Sequence, residues 1–198
     1  VVARHPVLAR VYDLVMAPSE RFGGMSRVRE RLVRDATGRV LEVGIGTGLL
    51  LPHYRAAAEV HGVDPDPLML RRARRRAAAV PVPVRLVLGD ARALPYRRDT
   101  FDVAVVGLAF CTIPTPSRAL AELRRVVRPG GELRFLEHVR SPSPRVAAWQ
   151  RRLAPAWRRV AGGCRLDQDT VAVVEAAGWR IVHLWRSGNG VMVSGRAV

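Results

Sequence analysis

Val40-Leu41-Glu42-Val43 runs directly into Gly44-Ile45-Gly46-Thr47-Gly48, and this junction limits the chain more than any other stretch. Three apolar residues around one acid read as a short buried strand. Glycine at alternate positions suits a chain that leaves a strand tip, turns sharply and lets a ligand lie against its backbone. Leu49-Leu50-Leu51 then opens a helical pattern expected to run to Ala58, with Pro52 in its first turn, where a missing N–H costs little. Such a helix would aim free N–H groups and the positive end of its dipole at the loop.

Spacing narrows the ligand. A dinucleotide fingerprint, G-x-G-x-x-G, would place its third glycine at Leu49, whereas here it is Gly48. Glu42, two residues before Gly44, would repel a pyrophosphate and tolerate an ammonium group. A second strand, Val60 to Asp64, ends in an acid 20 positions after Gly44, where a nucleoside-binding βαβ unit sets its ribose-hydroxyl acceptor. A third, Val84 to Leu88, ends in Gly89-Asp90-Ala91. Strands closed in turn by Glu42, Asp64 and Asp90 make a more specific pattern than any one glycine run.

The motifs VLEVGIGTG, GVDPDP, GDARALP and RVVRPGG resemble those of class I S-adenosylmethionine-dependent methyltransferases, from about Val40 to the C-terminus. The resemblance implies S-adenosylmethionine as cofactor and a Rossmann-like sheet of seven strands, mostly parallel with one antiparallel strand, with helices on both faces. It implies that Gly44, Gly46 and Gly48 approach the methionine part of the cofactor. Glu42 lies beside them, Asp64 holds the ribose hydroxyls and Asp90 accepts from the adenine amino group. Pro65, Met69, Ala91 and Leu108 belong to the same cofactor site.

The chain has 198 residues, enough for one domain with a sizeable core. We divide it into N-terminal lid helices (1–36), a cofactor-binding core (37–137), a substrate-side insertion (138–169) and a C-terminal helix with a hairpin (170–198). No apolar run approaches the roughly 20 residues that span a bilayer, and no export signal is visible, so a soluble, cytoplasmic protein is expected. Net charge is +16, a footprint shared by binders of nucleic acid and of anionic membranes. All the basic residues are arginine, however, and alanine, valine and proline are abundant, which points to GC-rich codons rather than a nucleic-acid partner. Cys111 and Cys164 stand far apart with no C-x-x-C pair, so free thiols and no metal site are expected.

Taken in order, Val7, Leu8, Val11, Tyr12, Leu14 and Val15 fit one helical face, interrupted at Pro18 and Gly23-Gly24, and Met25, Val28 and Leu32 fit a second. Tyr12 is the residue here expected to reach the pocket. Asp66 caps a helix that begins at Pro67, with Leu68, Met69, Ala73 and Ala77 inward and Arg71, Arg72, Arg74, Arg75 and Arg76 on a solvated face. Phe101 to Val106 and Glu132 to Glu137 are the fourth and fifth strands, with a helix from Pro116 to Val127 between them. No Asn/Asp-Pro-Pro-aromatic motif follows the fourth strand, which counts against DNA-base amino methylation. In the insertion, Val146, Trp149, Leu153, Trp157 and Val160 share a helical face, read as core or lid first and membrane surface second, and Pro155 is expected to kink or break that helix. A helix from Thr170 to Ala177 and strands Trp179 to Trp185 and Val191 to Val198, joined at Ser187-Gly188-Asn189-Gly190, close the chain.

Glu137-His138-Val139, Trp149-Gln150, Pro155-Ala156-Trp157 and Gly163-Cys164-Arg165-Leu166 form an ordered series. It resembles the branch that includes the animal alkyl thiol methyltransferases. The animal members carry a hydrophobic membrane anchor at the N-terminus, and the residues of this chain are expected to differ from them there. The resemblance implies methyl transfer to a small molecule, with a thiol first and a phospholipid or quinone as the alternative acceptor; an RNA methyltransferase and a cofactor-binding module without catalysis rank below these. A thiol acceptor must lose a proton, and His138, at the tip of the fifth strand, is the expected general base. Tyr12, Cys111, Trp149 and Cys164 are expected to face the acceptor.

Overall fold

Alternate residues of the central strands go to opposite faces, and both faces are apolar, as in a sheet covered on both sides. Val40, Val103, Val105 and Leu136 join one buried cluster. Leu41, Val43, Ala104, Val106, Leu133 and Phe135 join the other. The computed structural model describes residues 6–22 and 24–198. Gly23 lies outside the described residues, as do the side chains of Val7, Leu8, Val11, Val15 and Val160.

Among the described residues the strands are β1 (Gly38–Val43), β2 (Ala57–Asp64), β3 (Val84–Leu88), β4 (Phe101–Gly107), β5 (Val127–His138), β6 (Ile181–Arg186) and β7 (Met192–Ala197). The helices are α1 (Pro6–Arg21), α2 (Met25–Val33), α3 (Pro67–Ala77), α4 (Pro116–Val126), α5 (Pro144–Val160) and α6 (Thr170–Ala176). The strands form one seven-stranded sheet in the order β3-β2-β1-β4-β5-β7-β6. Within it only β7 runs against its neighbours, β5 and β6. Residues of α2 and α3 cover one face, and residues of α4 and α6 cover the other. The expected fold class therefore holds. Strand order reverses at β1 and β4, so their tips flank the crevice in which open α/β sheets bind ligands.

Four expectations about elements fail. No α-helix follows the glycine loop: Leu51–His53 is a single 3-10 turn and β2 already begins at Ala57. Leu50, Leu51 and Tyr54 are buried, so the short link is drawn into the core, with Pro52 unable to donate to a longer helix. A helix dipole therefore does not face the loop. Second, Pro18 does not end α1, and of the two outcomes expected at Pro155 the break does not occur, since α5 runs through it. Each proline lies on an exposed side, and the carbonyls it frees belong to the exposed residues Leu14 and Arg151, where water can satisfy them.

Third, the arginine face of α3 is not wholly solvated, since Arg72 and Arg76 pair with Asp13 of α1 at 3.3 and 3.0 Å. Fourth, the Trp149, Leu153 and Trp157 stripe is not core: these side chains are 62%, 52% and 41% exposed. The buried stripe of α5 is Ala147, Gln150 and Ala154, one residue out of phase. Hydrophobic periodicity picked the wrong face because the inward one is built from alanine and glutamine. No helix among the described residues is long and apolar enough to cross a membrane.

Candidate functional site

The tip of β1 is pinned to β2 by two backbone bonds: the N–H groups of Gly44 and Ile45 donate to the Val63 carbonyl at 2.8 and 3.2 Å. Gly44 and Gly46 both have positive φ, 69° and 55°. A side chain on Gly44 would begin 2.3 Å from the Ala109 Cβ, so this loop and the loop after β4 touch. On Gly46 it would meet nothing nearer than the Gly44 carbonyl at 3.9 Å. Protein leaves that space open, as a loop that cradles a ligand requires. From the other side, Thr47 Oγ1 donates to Asp13 Oδ1 at 2.7 Å, which fastens α1 to the loop.

Three acids close the first three strands, each in a different state. Glu42 is buried and accepts from the Tyr54 phenol at 2.9 Å, and burial pushes its pKa up to about 8, against the pull of Tyr54 and Arg29. Asp64 accepts from the backbone N–H of Gly46 at 2.8 Å and of Asp66 at 2.9 Å, so it shapes the loop as well as facing it. Asp90 is half-exposed and gripped by Arg92, whose Nη2 donates to Oδ2 at 2.6 Å and holds its pKa down. Beside Asp64, Pro65 is exposed and Met69 is buried in the first turn of α3, while Ala91 is buried next to Asp90.

Arg29, which the sequence did not single out, belongs with these acids. Its side chain is 3% exposed and its Nε donates to Glu20 at 2.8 Å. Its Nη2 is buried, with no hydrogen-bond partner among the described residues. Its charge lowers the pKa of Glu42. A buried donor without an acceptor is costly unless a ligand supplies one. The sequence signal, one arginine in an N-terminal segment rich in them, was too weak to find it.

The tips of β4 and β5 build a second group. Leu108 takes φ 59°, a strained conformation for a branched residue. It is held by Glu137, whose carboxylate accepts from the backbone N–H groups of Ala109, Phe110 and Cys111 at 2.8, 2.9 and 3.2 Å. Burial pushes Glu137 up to about 7, against those three donors. Arg165 donates from its backbone to the Cys111 carbonyl at 2.9 Å, and its guanidinium reaches the Phe110 and Ile113 carbonyls. Gln150 fastens α5 below: its Oε1 accepts from Ser141 N at 2.8 Å and its Nε2 donates to the Val139 and Leu166 carbonyls at 2.8 and 2.9 Å.

These ties bring the two cysteines together. One donor atom each of Cys111, His138 and Cys164 lies within 4.8 Å of the other two, and Cys164 Sγ is 3.7 Å from His138 Nδ1. Cys164 is made more acidic by the Cys111 thiol, then by His138 and the Trp157 indole N–H, while Cys111 is driven up by Cys164 and by burial. Burial works to lower the His138 pKa, and Cys164 outweighs it, leaving the pKa raised. Tyr12 of α1 is close enough for Cys111 to raise its pKa, although burial is the main cause. Of the residues expected to face the acceptor, Cys111, His138 and Cys164 therefore converge, with Tyr12 within electrostatic reach of Cys111. Trp149 does not: it stands outward on α5, with the Arg152 guanidinium 5.9 Å from its ring centre. Trp157 is the tryptophan whose indole N–H influences Cys164.

The methyltransferase domain family matches residues 41–135. The chain is 34% identical over 196 residues to the thiol S-methyltransferase TMT1B of Mus musculus, covering 87% of this chain and 76% of that one. It is 40% identical over 119 residues to the phosphatidylethanolamine N-methyltransferase of Cereibacter sphaeroides, covering 59% of each chain. The chain spans about three fifths of the length of several other curated relatives, such as the rat and human counterparts of the mouse protein. Among solved structures, a methyltransferase from Aquifex aeolicus superposes with a TM-score of 0.67 at 17% identity, covering 98% of this chain and 97% of that one, which speaks to the fold alone.

Proposed function

Because the chain belongs to the class I S-adenosylmethionine-dependent methyltransferases, we propose that it methylates a small-molecule thiol docked over the tips of β1, β4 and β5. The observation that carries this reading is the convergence of Cys111, His138 and Cys164 beside the cofactor loop, linked to it through the packing of Ala109 on Gly44.

S-adenosylmethionine supplies an electrophilic methyl group on a sulfonium centre. The residues present fit its parts. The open space over Gly46 admits the methionine chain. Glu42, ionised, would face its ammonium group, and Arg29 Nη2 would donate to its carboxylate. Asp64 would accept from the ribose hydroxyls. Met69 and Ala91 would flank the adenine, with Asp90 accepting from the amino group and Leu108 closing the site from the β4 side.

Tyr12 and α1 would cover the acceptor and exclude water, and the thiol would be ionised at the cluster of Cys111, His138 and Cys164. Alignment supplies much of the acceleration, since fixing two reactants in attack geometry contributes up to roughly 7–11 kcal/mol. With both cysteines free, a reducing cytoplasm is the setting that suits the site.

A second reading, a phospholipid or quinone acceptor, is favoured by one feature. Trp149, Leu153 and Trp157 form an exposed stripe flanked by the exposed Arg145, Arg151, Arg152 and Arg158. Such a face suits an anionic bilayer surface. A methyl-transfer screen with alkyl thiols, amines, phenols, phospholipids and reduced quinones separates the readings. Turnover of thiols supports the first; turnover confined to phospholipids or quinones overturns it in favour of the second.

A further inference from the structure

We propose that Cys111, His138 and Cys164 form the binding site of one zinc-like divalent cation whose fourth coordination position receives the acceptor thiol. The chain has two cysteines and five histidines. Both cysteines and one histidine meet at a single place, although they come from the loop after β4, the end of β5 and the segment after α5. Zinc takes sulfur at about 2.3 Å and imidazole nitrogen at about 2.0–2.1 Å, so tetrahedral ligands stand roughly 3.6–3.8 Å apart. The Cys164 sulfur and His138 Nδ1 are 3.7 Å apart, already at that spacing, and all three donor atoms lie within 4.8 Å. Small rotations about χ1 close the rest.

The surroundings act as supports for ligands. The Cys111 backbone is fixed on both sides, its N–H by Glu137 at 3.2 Å and its carbonyl by the Arg165 N–H at 2.9 Å. The Trp157 indole N–H favours the ionised form of Cys164. Hydrogen bonds of this kind orient ligands and hold thiolates. Charge also balances. Two thiolates, a neutral imidazole and a divalent cation sum to zero, which removes the penalty of a buried net charge. Thiolates and imidazole are the donor set that selects zinc over magnesium or calcium. Among the described residues the cluster offers three ligands, the number typical of a site that keeps a position for substrate.

The use of that position rests on the thiol reading given above, whereas the cation site does not. An incoming thiol would bind the cation as thiolate and release its proton to solvent. The thiolate sulfur would then form a bond to the methyl carbon as the bond from that carbon to the sulfonium sulfur breaks. The electron pair of the broken bond would stay on the departing sulfur, and the neutral thioether product would leave the cation. His138 then serves as a ligand, and the cation rather than a free imidazole brings the acceptor to its ionised form.

The test uses the full chain purified with a phosphine reductant and no chelator. Mass spectrometry of metals should find about one zinc per chain. Cobalt(II) added to the stripped protein should give the visible bands of a tetrahedral site with thiolate charge transfer. Cys111→Ser and Cys164→Ser should each weaken or abolish those bands while binding S-adenosylhomocysteine as the wild type does, which shows that they fold. Failure of the wild type to hold zinc at micromolar concentrations overturns the site, as does equal retention by both serine variants. An alkyl thiol should shift the cobalt spectrum. Cobalt bands that ignore every thiol would leave the cation site standing and remove its role in acceptor activation. Methylation of amines or phospholipids by the zinc-loaded chain, with thiols inert, would instead overturn the thiol reading alone.

Discussion

The Tyr54 phenol donates to Glu42 at 2.9 Å, and both side chains are sealed from solvent. With a pKa near 8, Glu42 holds a proton at neutral pH until a cation arrives beside it. Binding of an ammonium-bearing ligand should release that proton. Affinity for S-adenosylhomocysteine should therefore rise with pH from about 6.5 toward 8, by up to about tenfold per unit, and then level off. Calorimetry in buffers of different ionisation enthalpy would count the proton released. A flat profile in the wild type, or the same slope in Glu42→Gln, would refute the linkage. The folded chain binds this proton more tightly than the unfolded chain does. The resulting stabilisation is complete below about pH 4.5 and is lost as pH rises through about 8, so the melting temperature of the ligand-free protein should fall across that window.

Arg29→Met should weaken binding of S-adenosylhomocysteine by roughly 10- to 100-fold, the worth of a charge-assisted hydrogen bond of about 1.5–3 kcal/mol. Decarboxylated S-adenosylmethionine gives the control. It offers no carboxylate, so its affinity should be nearly the same in the mutant and the wild type. Equal losses for both ligands would mean that Arg29 supports the fold through Glu20 and does not touch the cofactor.

His138→Ala should lower the turnover of a thiol by about 100-fold or more at neutral pH, because it disrupts the cluster that ionises the acceptor, whether His138 acts there as base or as cation ligand, with affinity for S-adenosylhomocysteine nearly unchanged. The loss should shrink at high pH, where the thiol ionises unaided. Turnover by the mutant at the wild-type rate at pH 7 would reduce His138 to a packing residue.

If the outer face of α5 rests on a bilayer, the chain should sediment with vesicles containing phosphatidylglycerol and not with pure phosphatidylcholine. The double variant Trp149→Ser, Leu153→Ser should bind at least about tenfold more weakly, because two large apolar side chains are lost from the contact. Sedimentation unaltered by the double change would place membrane contact elsewhere or nowhere.

What the sequence made legible was local and periodic. The strand before Gly44, the Asp66 cap on α3, whose side chain accepts from Leu68 N at 2.8 Å, and the turn at Ser187 to Gly190 each depend on residues a few positions apart. The β1–β2 link was misread because three leucines suit a helix, a strand or a buried turn equally well. Arg29 depends on chain segments brought together only by the sheet, and C-x-x-C spacing says nothing of Cys111 and Cys164, whose shared place by the acceptor came from the family resemblance alone. Trp149-Gln150 was noticed for its tryptophan, yet the glutamine is what holds the segment in place.

The short link between β1 and β2 also bears on where this folding unit begins. With a single 3-10 turn in place of a crossover helix, the sheet face at Val40, Val103 and Val105 is covered by Met25, Leu32 and Val33 of α2 together with Leu50 and Leu51. Arg134 in the sheet donates to the Leu32 carbonyl at 2.9 Å and to Asp35 at 2.5 Å, which anchors the end of α2 to β5. Residues 25–36 are thus a wall of the domain. A fragment trimmed to start at Thr37, although it would keep every glycine and acid of the cofactor motifs, would expose an apolar sheet face and associate with itself before it could meet a ligand.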